Sequence, residues 1–133
     1  MTLSLSAQLW QPDFASAQAT AKEANKNLVI VFSGSDWCGP CIKLARDIWD
    51  QEAFSLPAEA AFIFYKADFP RRKANKLSEE VSATNAGLAE QYNQRGSFPL
   101  VVIVTPEGEV LGSTGYKKVS PTDYLEILQS FSK

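Results

Sequence analysis

The chain of 133 residues has no histidine and only two cysteines. A framework of structural disulfides needs several cysteines spread along a chain, so this sequence excludes one. A closed zinc site needs four nitrogen or sulfur ligands, which two cysteines cannot supply without histidine. Dimerisation or carboxylate ligands would have to complete such a site, so we expect no metal.

Long apolar runs are also missing. Residues 62–65 and 100–104 are apolar but far shorter than the roughly 18 residues that span a bilayer. Residues 1–11 lack a basic start and an apolar core, so we expect no export signal in this sequence, although a processed exported protein would read the same way. The net charge of -2 gives no reason to expect nucleic acid or an anionic membrane as a partner.

The length and a hydrophobic content of 45% predict one globular domain, residues 1–133, with a sizeable core. The residue patterns predict helices over 13–25, 38–54 and 78–94, the last interrupted at Gly87, and a final helix from Ser120. Strands are predicted over 28–32, 61–67, 100–104 and 109–113, the last two as an antiparallel hairpin. The continuous apolar run 28–32 indicates a central parallel strand that is buried on both faces.

Both cysteines lie in the run Trp37-Cys38-Gly39-Pro40-Cys41, where this strand gives way to a helix. Two thiols three positions apart can close into a disulfide and reopen, so the spacing indicates a redox site. A helix that starts at Cys38 favours the anion of that thiol and lowers its pKa, which makes Cys38 the expected nucleophile. We expect the Cys38 sulfur to be accessible, whereas Cys41 lies one turn deeper on the packed face, where a thiol is shielded, and is the expected resolving thiol.

This motif after a buried strand, together with Gly96-Ser97-Phe98-Pro99 before another, resembles the thioredoxin superfamily. The stretches 32–38 and 66–70, and the insertion before residues 88–92, are similar to bacterial exported thioredoxin-like disulfide reductases. The resemblance implies an α/β thioredoxin fold, with a central mixed β-sheet flanked by helices on both faces.

The resemblance also implies that Pro99 is a cis-proline facing the cysteine pair and that Phe98 presents its backbone to an extended substrate. The alternative is a trans proline that merely opens a strand. Trp37 is similar to the family's partly exposed apolar lid, with ordinary half-burial as the alternative. Gly115 resembles a glycine that keeps the substrate groove open, although a turn or bulge glycine fits equally well.

The sequence departs from the family at the buried acid that handles the proton of the resolving thiol. That position falls at Val31 or Phe32, which are both apolar. Lys66 and Asp68 lie nearby in the sequence, either as part of the site or as surface charges, so proton transfer at Cys41 would rely on water. The basic run 71–73 is expected to be a solvated loop, with a docking patch as the alternative.

We therefore expect a thiol-disulfide oxidoreductase that reduces protein disulfides, because Gly39-Pro40 is similar to the dipeptide of reducing family members. The alternatives are a disulfide oxidase or isomerase, and a redox-inactive binding module of the same fold. The expected partners are disulfide-containing proteins and an electron donor, with no cofactor, and we expect a monomer. The subfamily resemblance favours a periplasmic or otherwise exported location and leaves a cytoplasmic one open.

Overall fold

The computed structural model describes residues 9–132. Most of residues 1–11, where we expect no export signal, therefore lies outside the described residues. The same holds for both ends of the expected domain 1–133. Within 9–132 the chain forms five α-helices and four β-strands, which are α1 (Phe14–Ala24), β1 (Leu28–Ser33), α2 (Gly39–Leu44), α3 (Glu52–Ala61), β2 (Ile63–Asp68), α4 (Glu79–Tyr92), β3 (Leu100–Val104), β4 (Val110–Thr114) and α5 (Pro121–Ser130).

The four strands form one mixed sheet in the order β2-β1-β3-β4. β1 pairs in parallel with β2 and antiparallel with β3, and β4 runs antiparallel to β3. Every residue of β1 is buried, as the continuous apolar run predicts. The central position of β1 and the β3–β4 hairpin are thus confirmed, although β1 is parallel to only one of its two neighbours.

Helices cover both faces of the sheet, as the resemblance to the thioredoxin superfamily implies. On one face, α2, α3 and α5 pack over alternate sheet residues such as Val29 and Val31. On the other face, α1 and α4 pack over the intervening residues such as Ile30 and Phe32. None of the helices within 9–132 is both long and apolar enough to cross a bilayer.

Three of the predicted helix starts are confirmed by side-chain caps. Asp13 accepts a hydrogen bond of 2.7 Å from the N–H of Ser16 and caps α1. Ser78 and Ser120 cap α4 and α5 in the same way. A capping oxygen satisfies one of the unpaired N–H groups of the first turn, which explains why these residue types mark the starts.

The prediction of one helix over 38–54 is wrong. α2 ends at Leu44, a π-helical turn follows over Ala45–Trp49, and α3 starts afresh at Glu52. The wider π turn carries both Ile48 and Trp49 into the core, where they are 1% and 4% exposed. Gln51 then adopts an extended conformation and donates from its side-chain amide to the carbonyl of Arg46, which satisfies an acceptor where the regular helix has ended.

The start of β2, the continuity of α4 and the bounds of β4 also differ from the prediction. β2 begins at Ile63 because Ala61 still belongs to α3. α4 continues through Gly87 without interruption, and β4 covers Val110–Thr114 instead of 109–113. Glycine lowers helix stability by only about 1 kcal/mol relative to alanine, so the packed face of α4 outweighs it.

Tyr124 ties α5 to the sheet edge that carries the cysteine pair. Its hydroxyl is in a buried environment and donates to the carbonyl of Gly115 at 2.7 Å. We expect Tyr124→Phe to lower the free energy of unfolding by about 1 kcal/mol at pH 7, because it leaves that carbonyl unpaired. Tyr116→Phe, which changes a half-buried tyrosine on the same loop, is the control.

The Tyr124→Phe variant also tests how the free energy of unfolding depends on pH. Burial raises the pKa of Tyr124 above its ordinary value of 10.0, so the neutral phenol stabilises the fold fully below that pH. The contribution is lost as the pH rises from 10 toward the higher folded pKa, because only the unfolded chain ionises readily. Urea unfolding from pH 8 to pH 11 should show a smaller loss of stability for Tyr124→Phe than for the unmodified chain. An equal loss in both proteins would contradict this.

Candidate active site

Cys38 and Cys41 are joined by a disulfide at the start of α2. The loop that leaves β1 brings Cys38 to the N-cap of α2, and the N–H of Cys41 donates to the Cys38 sulfur at 3.3 Å. Pro40 lies in the first turn, where its missing N–H leaves no donor unpaired. Gly39 and Pro40 are both exposed. The structure therefore brings the two predicted thiols within bonding reach at a helix N-terminus.

The expectation that Cys38 is accessible is wrong for this disulfide form of the chain. Cys38 is 5% exposed and Cys41 is 3% exposed, so exposure does not distinguish them. The physical reason is the N-cap geometry, because the Cys38 sulfur turns toward the N–H of Cys41 and the sulfur to which it is bonded. What distinguishes the two thiols is the set of groups around each one.

Cys41 lines a partly open cavity of about 200 Å³. It also accepts the N–H of Gly34 at 3.5 Å. The cavity is lined by polar and charged residues from three parts of the chain, which include Ser33, Ser35, Arg46, Asp50 and Lys66. A cavity of this size with several polar groups can hold water. The inner thiol thus lies beside a polar cavity.

The structure separates the two positions, Val31 and Phe32, at which the resemblance implies that the family's buried acid would fall. Val31 pairs with Lys66 across β1 and β2, and Val31 is 1% exposed. Phe32 belongs to the opposite face of the sheet, whereas Val31 lies on the face covered by α2. The proton of Cys41 has no carboxylate at either strand position to receive it.

Lys66 and Asp68 have different surroundings. The ammonium of Lys66 lies 4.7 Å from the ring centroid of Trp10 while the residue lines the Cys41 cavity. The carboxylate of Asp68 accepts hydrogen bonds from the N–H and the hydroxyl of Ser35. Lys66 is therefore part of the site, whereas Asp68 fixes the conformation of the loop that follows β1.

Trp37 is half-buried and lies between three groups of the site. Its indole N–H donates to the carbonyl of Phe69 at 2.6 Å, and its ring meets that of Phe98 edge-on at 5.4 Å. The guanidinium of Arg71 lies 3.7 Å from the ring centroid of Trp37. Trp37 therefore forms part of a wall beside the cysteine pair, built with the segment that follows β2.

Asp36 anchors that segment, and the sequence analysis missed it. Its carboxylate accepts the N–H groups of Arg71 and Arg72, and the side-chain amide of Asn75. An aspartate in a loop signals hydrogen bonding to nearby backbone, but it does not signal partners some 35 residues away. Asp36 and Trp37 together hold residues 69–75 against the loop that carries Cys38.

The bond between Phe98 and Pro99 is cis, as the resemblance to the thioredoxin superfamily implies. Pro99 is buried and Phe98 is half-buried. Phe98 lies two residues before the first ladder pair of β3, which joins Leu100 to Phe32. A β-carbon on Gly115 would lie 3.4 Å from the carbonyl oxygen of Pro99. The structure therefore gathers Trp37, Phe98, Pro99 and Gly115 at the sheet edge where Cys38 lies.

Gly34 permits the position of Trp37, because a β-carbon on Gly34 would overlap the indole. We expect Gly34→Ala to lower the free energy of unfolding by about 1 to 3 kcal/mol through this overlap. Gly87→Ala is the control, since its β-carbon would meet open space in the exposed middle of α4. The control should gain about 0.5 to 1 kcal/mol. The free energy of unfolding of both variants is measured by urea unfolding. Equal changes in Gly34→Ala and Gly87→Ala would contradict the overlap.

We expect Asp36→Asn to release residues 71–75 from the loop, because an amide has one acceptor oxygen where the carboxylate uses two. The amide hydrogens of Arg71 and Arg72 should then exchange several-fold faster, after division by their intrinsic rates. Asp47→Asn is the control, since that exposed carboxylate pairs with its neighbour Arg46. Unchanged exchange at Arg71 and Arg72 would show that the anchor is not needed.

The pH dependence of this anchor follows from the pKa of Asp36. The N–H of Arg71, and then the side chain of Asn75, hold that pKa below its ordinary value of 3.8. A carboxyl with a depressed pKa contributes its stabilisation above the ordinary value and loses it as the pH falls toward the folded value. Exchange at Arg71 should therefore stay slow at pH 5 and accelerate only below about pH 3.8.

Comparisons with known proteins agree with this arrangement. A family model described as "Thioredoxin-like" matches residues 9–106. The chain is 31% identical over 127 residues to "Disulfide bond reductase DsbH" of Chlamydia pneumoniae, an alignment covering 96% of this chain and 75% of that protein. It is 24% identical over 99 residues to "Thioredoxin-related protein DsbJ" of Chlamydia pneumoniae, covering 74% of this chain but 28% of that protein.

A solved structure named "DsbH Oxidoreductase" superposes on the chain with a TM-score of 0.85. The two sequences are 29% identical, and the match covers 98% of this chain and 90% of the other. The similarity therefore extends over both the sheet and the loops that carry the cysteine pair.

Proposed function

Because this chain belongs to the thioredoxin-like family and is a thiol-disulfide oxidoreductase, we propose that it works as a reductase of disulfides in other proteins. The observation that carries the proposal is the closable pair Cys38 and Cys41 at the N-terminus of α2, with Gly39 and Pro40 between them. The similarity to a protein named a disulfide bond reductase supports the same direction.

The proposed reaction is a two-step thiol exchange. The thiolate of Cys38 attacks one sulfur of a substrate disulfide, which forms a mixed disulfide and expels the other substrate sulfur as a thiolate. Cys41 then loses its proton and attacks the Cys38 sulfur, which releases the second substrate sulfur. The substrate gains two electrons and two protons, and the chain is left with the Cys38–Cys41 disulfide. An electron donor of the dithiol class must return it to the reduced form.

The surroundings of Cys38 favour its role as nucleophile. A hydrogen bond from the N–H of Cys41 stabilises charge on the Cys38 sulfur, and the N-cap position adds the field of the helix terminus. The exposed Gly39 and Pro40 lie on the outer side of the pair. We propose that a substrate approaches Cys38 from this exposed side.

The surroundings of Cys41 favour its role as resolving thiol. It lines the inner cavity, whose lining also includes the charged residues Asp50 and Lys66. Since Val31 and Phe32, the two positions implied for the family's buried acid, are both apolar, we propose that the Cys41 proton leaves through water in this cavity. The cavity opens to solvent, so no buried carboxylate is needed.

Phe98 and Pro99 complete the proposed substrate site. The ladder between β1 and β3 begins at Leu100, so the peptide groups of Phe98 lie beyond it and can pair with an extended substrate strand. The rings of Trp37 and Phe98 would flank that strand. This geometry suits a protein segment that contains the disulfide.

The reduction potential tests the direction of the reaction. We expect equilibration with glutathione buffers to give a potential more negative than about -200 mV, on the side of thioredoxin, at about -270 mV, and away from disulfide isomerases near -180 mV. Reduction of insulin by dithiothreitol with catalytic amounts of the chain measures turnover. A potential above about -180 mV, with repair of scrambled disulfides, would instead identify an oxidase or isomerase. Absence of any exchange would favour a redox-inactive binding module.

A further inference from the structure

Positive side chains predominate in the loops around the cysteine pair. β1 and β2 are parallel, and β3 is antiparallel to β1, so the segments after β1, after β2 and before β3 meet at one sheet edge. β4 also ends at this edge. The residues of the four segments, 34–38, 69–78, 93–99 and 115–120, include seven cationic side chains, which are Arg71, Arg72, Lys73, Lys76, Arg95, Lys117 and Lys118.

Against these cations the four segments contain one acid, Asp36, while Asp68, Glu79 and Glu80 adjoin the ends of segment 69–78. Both oxygens of Asp36 are already occupied by the N–H groups of Arg71 and Arg72 and by Asn75. The chain as a whole carries a formal net charge of -2, so the positive charge at this edge is a local concentration. The hairpin turn at the opposite edge of the sheet carries Glu107 and Glu109 instead.

The cations nearest the motif are held in place while their charges remain available. Asp36 and Trp37 fix the backbone of residues 69–75, and the guanidinium of Arg71 stacks on Trp37. Arg72, Lys73, Lys117 and Lys118 are exposed. Within residues 9–132 the side-chain ion pair is Arg46 with Asp47, at 2.9 Å and outside these loops. Positive side chains fixed around a reactive group attract acidic partners and raise their association rates.

We propose that this basic edge selects protein substrates whose disulfide lies among aspartate and glutamate side chains. The proposal rests on the proposed function for the role of the substrate, and it adds the chemical class of the segment that the site prefers. Arg71 would meet an acidic side chain next to the attacked sulfur, because it borders Trp37. The other cations would contact acidic residues farther along the partner.

The test uses two synthetic peptides of equal length, each closed by one disulfide and flanked by glutamates in one peptide and by lysines in the other. The rate constant for reduction of each by the reduced chain is divided by the rate constant for bis(2-hydroxyethyl) disulfide, a neutral compound. This division cancels changes in the reactivity of Cys38 itself. We expect the glutamate peptide to react at least about tenfold faster at low salt, and the ratio to approach one at 1 M salt, where charges are screened beyond about 3 Å.

Two variants that each remove two positive charges locate the effect. Arg72→Gln with Lys73→Gln should lower the peptide ratio by about threefold or more. Lys22→Gln with Lys26→Gln, near the C-terminal end of α1 and away from the site edge, should leave it unchanged. Equal rates for the two peptides, or equal ratios for the two variants, would overturn the proposal while leaving the reductase function intact.

A chain that is not a reductase would give a different result in the same experiment. If the reduced chain reduces neither peptide, the oxidised chain is mixed with the dithiol forms of the same peptides and the oxidation rates are compared. A preference for the glutamate peptide in that direction would support the basic edge and reject the reductase. No preference in that direction would reject both.

Discussion

Cys38→Ser is expected to abolish disulfide exchange, whereas Cys41→Ser is expected to hold substrates on the chain as mixed disulfides. Loss of the attacking sulfur should lower turnover with insulin by about a thousandfold or more, because a serine hydroxyl cannot attack a disulfide at neutral pH. Loss of the resolving sulfur leaves the first step intact and removes the second. The two variants therefore fail at different steps, although each changes one sulfur to oxygen.

The different roles of Cys38 and Cys41 rest on their positions in the fold. Their exposure does not distinguish them, since both are buried in the disulfide form. Cys38 lies at the N-cap beside exposed residues, and Cys41 adjoins the inner cavity with Ser33 and Lys66. We therefore expect Cys38 to attack the substrate disulfide and Cys41 to attack the mixed disulfide that results.

Non-reducing gels and mass spectrometry after incubation with a disulfide protein measure the mixed disulfides. The double variant Cys38→Ser with Cys41→Ser controls for adducts that do not involve the pair. Equal trapping by the two single variants would contradict the assigned roles. Applied to an extract of the native cell, Cys41→Ser also captures substrates, and their sequences can be scored for acidic residues near the attacked disulfide.

Local signals in the sequence were enough to predict much of the fold. The apolar run that forms β1 requires burial on both faces, and residues 28–33 are all buried in the structure. Asp13, Ser78 and Ser120 cap the helices that they were expected to start. These signals work because each depends on neighbours within a few residues, in a strand or in the first turn of a helix.

The features that could not be predicted depend on contacts between distant residues. The π turn over Ala45–Trp49 has no characteristic residue composition, and α3 contains Pro57, a residue type that disfavours a helix interior. The anchoring of residues 71–75 by Asp36 joins two loops separated along the chain. The cysteine spacing predicted a redox pair, but the cavity beside Cys41 became visible only when β2 and the π turn were placed around it.

Trp49→Ala is expected to cause the largest loss of stability among single changes outside the cysteine pair. Trp49 is 4% exposed, and its ring meets the rings of Trp10, Phe54, Phe64 and Tyr124 edge-on. Removing such a side chain creates a cavity and typically costs about 3 to 5 kcal/mol. Native domains are stable by only about 5 to 15 kcal/mol, so the variant should be close to unfolding.

The π turn gives this prediction its structural reason. It is the segment that carries Ile48 and Trp49 together into the core, and Trp49 also lines the cavity beside Cys41. The same ring therefore supports α3, α5 and the inner wall of the active site. Trp49→Phe keeps an aromatic ring at this position and should cost less, which provides a folded variant if Trp49→Ala does not fold.

Guanidinium unfolding of the oxidised chain measures these differences, with Trp37→Ala as the matched control. Trp37 is half-buried beside the cysteine pair, so the same substitution there should cost less than about 3 kcal/mol. Trp37→Ala should instead lower the rate with protein substrates, because Trp37 forms the proposed wall of the substrate site. If Trp49→Ala proved no less stable than Trp37→Ala, the π turn would not be what joins the active-site helix to the core.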